Sequence, residues 1–370
     1  MTRRPWRARS AVAVRPAIPP PITTTSCADS MGAGSMGACW QQWRPVRVQA
    51  ELEQLLDRQP QLAAGARLQR YQPVGGGCSQ QAYQLQLSDG RLLFAKAGDP
   101  SMLKAEQRGL QALHRHLDPT DLWVPEPLVF DAGASARGWL LLSWHGFTQG
   151  DQTRLGRGLA RLHRQSAQQG SLENGAGWFG WAWDGYIGLG HQPGGWCQSW
   201  GEAFVDLRLR PQLEQAQSWG LSLADLEPWL HELRDRLDQH GPDAALVHGD
   251  LWGGNAAVLA DGRGLMFDPA SWWADREVDL AMTRCFGGFS QAFYSGYHQE
   301  WPLPPGAHHR VEIYNLYHWL NHANLFGGGY RQQCLRFLHH RPALRVVKVG
   351  AWERGWMISP DSPDAGSGRD

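Results

Sequence analysis

His248-Gly249-Asp250-Leu251-Trp252-Gly253-Gly254-Asn255 lies between two short apolar, β-prone runs, Ala245 to Val247 and Leu265 to Phe267. Asp250 and Asn255 have the Asp-x-x-x-x-Asn spacing of a catalytic loop for phosphoryl transfer, in which one carboxylate takes a hydroxyl proton and one amide serves a metal ion. Asp268 follows the second run, where it can present a hard carboxylate oxygen to Mg²⁺. Each Asp alone is a common strand-end turn former. His248, Asp250, Asn255 and Asp268 in this order favour the chemical reading over the turn reading.

Working upstream, phosphoryl transfer also needs a cation on the phosphates and a backbone cover that excludes water. Gly75-Gly76-Gly77-Cys78-Ser79 separates two strand-like runs, and its glycines let backbone amides approach phosphate oxygens, although three glycines also suit a plain flexible turn. Lys96, in Phe94-Ala95-Lys96, precedes Glu106 in the order of the kinase Lys and Glu pair. Lys96 would hold the phosphates and Glu106 would orient it; the bland alternative is an exposed strand Lys and a solvated helix Glu.

The segment Arg67 to Ala97 reads as an antiparallel β-meander with a turn at Ser88-Asp89-Gly90. A helix is expected before it, on Val48, Leu52, Leu55 and Leu56, and another from Met102 to His116; strands are expected at Leu128 to Phe130 and Gly138 to Ser143. Helical patterns dominate beyond Trp144, at Leu155 to Leu162, Leu223 to Leu237 and Val311 to Phe326. The expected class is α+β: a small β-rich lobe over residues 43–143 and a larger, mainly helical lobe over 144–356, with a cleft between them. A chain of 370 residues exceeds the size at which one core usually keeps growing, which fits two lobes. Residues 1–42 are rich in Arg and Pro, and read as a disordered extension or a mis-assigned start ahead of Met31 or Met36, with a targeting segment as the alternative. Residues 357–370 read as a solvated tail.

Lys plus Arg and Asp plus Glu both number 35, which gives no reason to expect a nucleic-acid or acidic-membrane partner. The six cysteines are scattered with no Cys-x-x-Cys, so neither a zinc site nor a disulfide framework is indicated, and a reducing cytoplasm fits. No apolar run approaches the ~18 residues of a membrane span.

Over roughly residues 48 to 350 the sequence resembles the fructosamine kinases, or ketosamine-3-kinases, relatives of the aminoglycoside phosphotransferases and choline kinases. The residues that carry the resemblance are Gly75-Gly76-Gly77-Cys78, Ala105-Glu106-x-x-Gly109-Leu110, Gly177-Trp178-Phe179-Gly180, Asp184-Gly185-Tyr186-Ile187-Gly188, Arg208 to Leu213, the His248 to Asn255 loop, Asp268-Pro269-Ala270 and Asp275 to Met282. Leu251 and Trp252 separate this family from the antibiotic kinases, which share only the His-Gly-Asp and the later Asn.

The resemblance implies a bilobal protein-kinase-like fold and ATP-dependent phosphorylation of the sugar 3-hydroxyl of fructosamines or ribulosamines, on free amines or protein lysines. Phosphate placed next to the carbonyl is a good leaving group, so the adduct then decomposes and frees the amine. In this picture Asp250 is the base, Asn255 and Asp268 hold Mg²⁺, Lys96 clamps the phosphates, and Ser143, Trp144 and His145 form the hinge near adenine, where Trp144-His145 departs from the family's acidic-aromatic pattern. Trp252 is the candidate to stack on the sugar. Trp273 and Asp275, with Glu277 and Asp279, are candidates for the amine of the adduct, set against helix capping and pairing with Arg276. Related enzymes carry Cys at the position of Cys78, which suggests a redox-linked homodimer as an alternative to a monomer. Two further functions stand beside the main one: a phosphotransferase for aminoglycoside- or choline-like substrates, and an inactive nucleotide-binding module kept for partner contacts.

Overall fold

A computed structural model describes residues 45–75, 80–133 and 137–340 of the chain. In order these form α1 (Pro45–Asp57), α2 (Pro60–Ala63), β1 (Leu68–Pro73), β2 (Gln81–Leu87), β3 (Leu92–Gly98), α3 (Pro100–His116), β4 (Leu122–Trp123), β5 (Pro127–Asp131) and β6 (Gly138–Ser143). There follow β7 (Phe147–Thr148), α4 (Thr153–Gln169), β8 (Phe179–Trp181), β9 (Gly185–Ile187), β10 (Gly190–Gln192), β11 (Gly195–Cys197), α5 (Trp200–Phe204), α6 (Arg210–Ala216) and α7 (Leu223–His240). The last part comprises β12 (Ala244–Val247), β13 (Ala256–Leu259), β14 (Gly264–Met266), β15 (Trp272–Asp275), α8 (Glu277–Cys285), α9 (Gln291–Glu300), α10 (Ala307–Phe326) and α11 (Gly328–His340).

The expected meander is present. β1, β2, β3, β6 and β5 make one antiparallel sheet, with Lys96 of β3 opposite Ala82 on one side and Leu140 on the other. α3 starts two residues earlier than its apolar pattern suggests, because Asp99 caps it by accepting hydrogen bonds from the Ser101 and Met102 amides.

β6 shows how the lobes join. Successive side chains of a strand point to opposite faces, and here Trp139 and Leu141 pack with α1 in a small core, whereas Leu140 and Leu142 belong to the large core. The large core also takes Leu103, Leu110 and Leu113 of α3 together with Leu155, Leu159 and Leu162 of α4. One continuous apolar interior therefore runs from the back of the first sheet into the helical part.

In the helical part, β4, β14, β13 and β7 form one small sheet, and β11, β8, β15 and β12 another. The catalytic-loop candidate leaves the end of β12 in the second sheet and enters β13 in the first. It is thereby held at both ends by buried strands. Among the described residues no helix is long and apolar enough to cross a membrane.

Candidate active site

Gly249 makes the loop possible. Its φ is +83°, and a Cβ there would lie 2.2 Å from the Ala270 carbonyl oxygen. The Ala270 amide donates to the His248 carbonyl at 2.9 Å, so the loop and the Asp268-Pro269-Ala270 turn touch backbone to backbone. Buried Asp279, on the first turn of α8, accepts the amides of His248 (2.7 Å) and Gly249 (2.8 Å) and also meets His163 Nε2 at 3.1 Å. Burial works against the Asp279 charge, but His163, His248 and the Gly249 amide outweigh it and hold the carboxyl below its ordinary value.

His248 is wholly buried, and that burial lowers its pKa. The Asp250 amide donates to its Nδ1 at 3.3 Å, which leaves Nε2–H to donate to the Phe267 carbonyl at 3.0 Å. The neutral imidazole thus ties the loop to the strand that delivers Asp268. Asn255 Nδ2 donates to the Asp250 carbonyl (2.9 Å) and to its Oδ2 (3.1 Å). Asp250 is half-buried. Burial, and then the charge of Asp268, push its pKa up to about 7, against the Asn255 hydrogen bond that lowers it. A carboxylate near neutrality is suited to general-base work.

Asp268 has φ +59°, the left-handed region that non-glycine residues rarely adopt, and such strain persists where surrounding contacts impose it. Lys96 Nζ reaches Asp268 Oδ1 at 2.5 Å and Glu106 Oε1 at 2.7 Å. Burial opposes the Lys96 charge, yet the two carboxylates more than compensate and raise its pKa above the ordinary value. Glu106 is pushed up by burial, partly offset by Lys96. α3 is seated directly on the Asp268-Pro269-Ala270 turn: a Cβ on Gly109 would stand 3.3 Å from Pro269 and 3.4 Å from Ser271. The sequence-distant Lys96, Glu106, Asp250, Asn255 and Asp268 therefore form one cluster.

The remaining candidates divide. Trp252 is 39% exposed beside Asp250, edge-on to the half-exposed Phe286 at 6.5 Å. Ser143 Oγ accepts from the Glu126 amide (2.8 Å) and meets His145 Nε2 (2.8 Å), which also accepts from Trp123 Nε1 (2.9 Å); Trp144 packs against Phe94. Gly75 is exposed, while Gly76, Gly77, Cys78 and Ser79 lie outside the described residues, and with them the proposed redox pairing.

Two further candidates are enclosed by the fold. Trp273 is buried in β15, edge-on to His116 at 5.6 Å. Asp275 is 2% exposed and fully engaged within the fold, with Tyr314 Oη donating at 2.6 Å, the Glu277 amide at 3.0 Å and His240 at 3.0 Å. Glu277 in turn is gripped by Arg310 through two hydrogen bonds of 2.7 Å. The acids after Asp268 are internal struts, and Asp279 among them positions the loop. The sequence reading missed His163 and Tyr297, which meet at 2.9 Å behind Asp279. The available signal was a histidine directly after Leu162 on the apolar stripe of α4.

Fold and site define a protein-kinase-like phosphotransferase with a hydroxyl acceptor. A family model described as "Fructosamine kinase" matches residues 50–342, and the chain belongs to the fructosamine kinase family. It is 39% identical over 286 residues to a Synechocystis protein named "Probable ketoamine kinase", spanning 76% of this chain and 92% of that one. To the ketosamine-3-kinase of Mus musculus it is 33% identical over 297 residues, 72% of this chain and 93% of that one. A crystal structure of a Thermobifida fusca protein that carries a provisional fructosamine-3-kinase name superimposes with TM-score 0.60 at 28% identity, over 75% of this chain and 96% of that one.

Proposed function

We propose that the chain uses ATP and Mg²⁺ to phosphorylate the sugar 3-hydroxyl of ketosamines, on free amines or protein lysines, and so starts their deglycation. The observation that carries this reading is the geometry around Asp250, whose carboxylate accepts from Asn255 beside the Lys96, Glu106 and Asp268 set. Asp250 accepts the hydroxyl proton, and the ammonium of Lys96, oriented by Glu106, binds phosphate oxygens. The donor set suits a hard cation: the Asn255 carbonyl and Asp268 carboxylate oxygens would hold Mg²⁺, which neutralises phosphate charge. The indole of Trp252 offers a face to the apolar side of the sugar. Ser143 to His145, where the chain passes between the lobes, take the adenine end. A cytoplasmic setting suits the unpaired Cys197, Cys285 and Cys334.

The test is ATP turnover at fixed Mg²⁺ with fructosyl-lysine, ribulosyl-lysine, a fructosylated protein, an aminoglycoside and choline. Turnover confined to the ketosamines, with phosphate located on the 3-hydroxyl, is the expected result. Selective turnover of the aminoglycoside or of choline would overturn the proposal.

A further inference from the structure

On the far side of α3 from Glu106 lies a recess that the phosphoryl chemistry does not use. At 100° per residue, Arg108 and Arg115 stand roughly 180–200° around the helix from Glu106. Both line this recess, with His116 from the same helix and Trp181, Trp183 and Trp273 from the opposite wall. It holds about 400 Å³ of space, part of it continuous with bulk solvent.

Its charges are unbalanced. Among the described residues neither guanidinium makes an ion pair: Arg108 lies over the Trp183 ring at 4.4 Å, and Arg115 meets no carboxylate. By contrast, Arg154, Arg157 and Arg161 converge on Asp121. Glu173 is the one acid among the lining residues, so two guanidiniums against one carboxylate leave the recess cationic.

Its walls are aromatic and fixed. Trp183 is 39% exposed and meets Trp181 edge-on at 5.9 Å, while Asp184 accepts the Gly194 amide at 2.9 Å and ties down the loop that carries Trp183. His116 is held by Gln169 of α4 at 2.9 Å and stands edge-on to Trp273. A guanidinium parked on an indole face exchanges a weak cation–π contact for a charge-assisted hydrogen bond once an anion arrives.

We propose that this recess is a second ligand site, for a small organic anion with an aromatic or flat apolar body. The anionic group pairs with Arg108 and Arg115, and the body lies against Trp183 and Trp181. The ligand would touch both α3, which carries Glu106, and β15, which follows Asp268. It would therefore pin the helix to the large lobe without entering the cleft.

The test titrates the full chain with 1-naphthoate, following tryptophan fluorescence, alongside naphthalene-1-methanol, inorganic phosphate and an unstructured Glu-rich peptide. Saturable quenching by 1-naphthoate is expected, at least about tenfold weaker for the neutral alcohol and for phosphate, and weakened about tenfold or more by Arg108→Gln with Arg115→Gln. The double variant should keep its melting temperature and basal turnover. Absence of saturable binding, undiminished binding in the double variant, equal binding of phosphate, or tighter binding of the peptide would each overturn the proposal.

Discussion

At the level of single residues, the proposed mechanism separates groups that would touch the reaction from groups that hold them. Asp250→Ala removes the proposed proton acceptor and leaves the Lys96, Glu106 and Asp268 contacts in place. Turnover should therefore fall about 10²- to 10⁴-fold, while nucleotide affinity, read by equilibrium titration, stays within a factor of about three. A drop in affinity that matched the drop in turnover would remove Asp250 from its role. Asp279 is a holding residue, and its signature is stability. Its folded pKa is depressed, so its contribution is fully present above the unfolded value of about 3.9 and is lost as pH falls through the folded pKa. Asp279→Asn sets an amide against the His248 and Gly249 donors and should cost on the order of 3 kcal/mol near pH 7. In denaturant melts at several pH values, the gap between variant and parent should narrow only below roughly pH 4; a gap independent of pH would contradict the assignment. The sequence singled out Asp250 and Asn255 because phosphoryl transfer asks for those types at that spacing, and the two side chains meet in one loop. For Trp273 and Asp275 the sequence left a substrate role and a structural one side by side, because all four residues of β15 are buried and no alternation marks which face looks where.

Among the elements, the closest association is between α4 and α9. A Cβ on Gly156 would lie 1.9 Å from the Phe293 carbonyl oxygen, and one on Gly296 would lie 2.1 Å from that of Thr153. The two helices thus touch backbone to backbone at reciprocal glycines. Either Gly156→Ala or Gly296→Ala should destabilise the protein by about 3 kcal/mol, the upper end for overpacking. The double variant should cost clearly less than the sum, since helices already forced apart accommodate the second methyl group. Strict additivity in chemical denaturation would mean that the contacts are independent. Because α4 also carries His163, which braces Asp279, both variants should lose turnover beyond their loss of fold. Sequence periodicity revealed α4, α7 and α10 but not α8 or α9. α8 buries Glu277 and Asp279 among its apolar residues, which breaks the polar and apolar alternation, and α9 buries only Phe293, Gly296 and Tyr297.

For the molecule as a whole, the question is what keeps the small sheet and the helical part in working register. The large core already unites them, since α3 and one face of β6 are buried in it with α4. The polar link is Lys96 of β3, which bridges Glu106 of α3 and Asp268 beyond β14. The change from strand patterns to helical patterns along the chain was legible in the sequence, while the continuity of the interior was not. The joining of the two parts depends on which face of β6 meets which core, and an all-apolar strand does not disclose that. On the proposed function, a nucleotide bound between the lobes would stabilise the folded chain by mass action, by about 2.7 kcal/mol at one hundred times its Kd. For a chain of this size that corresponds to a rise in melting temperature of roughly 5 °C. MgATP should produce such a shift in the parent protein and in Asp250→Ala, which keeps the Lys96, Glu106 and Asp268 contacts. Lys96→Ala should lose most of it, because the variant removes the cation for the phosphates and leaves Glu106 and Asp268 facing each other without a counter-charge. An equal shift in Lys96→Ala would place the nucleotide away from β3.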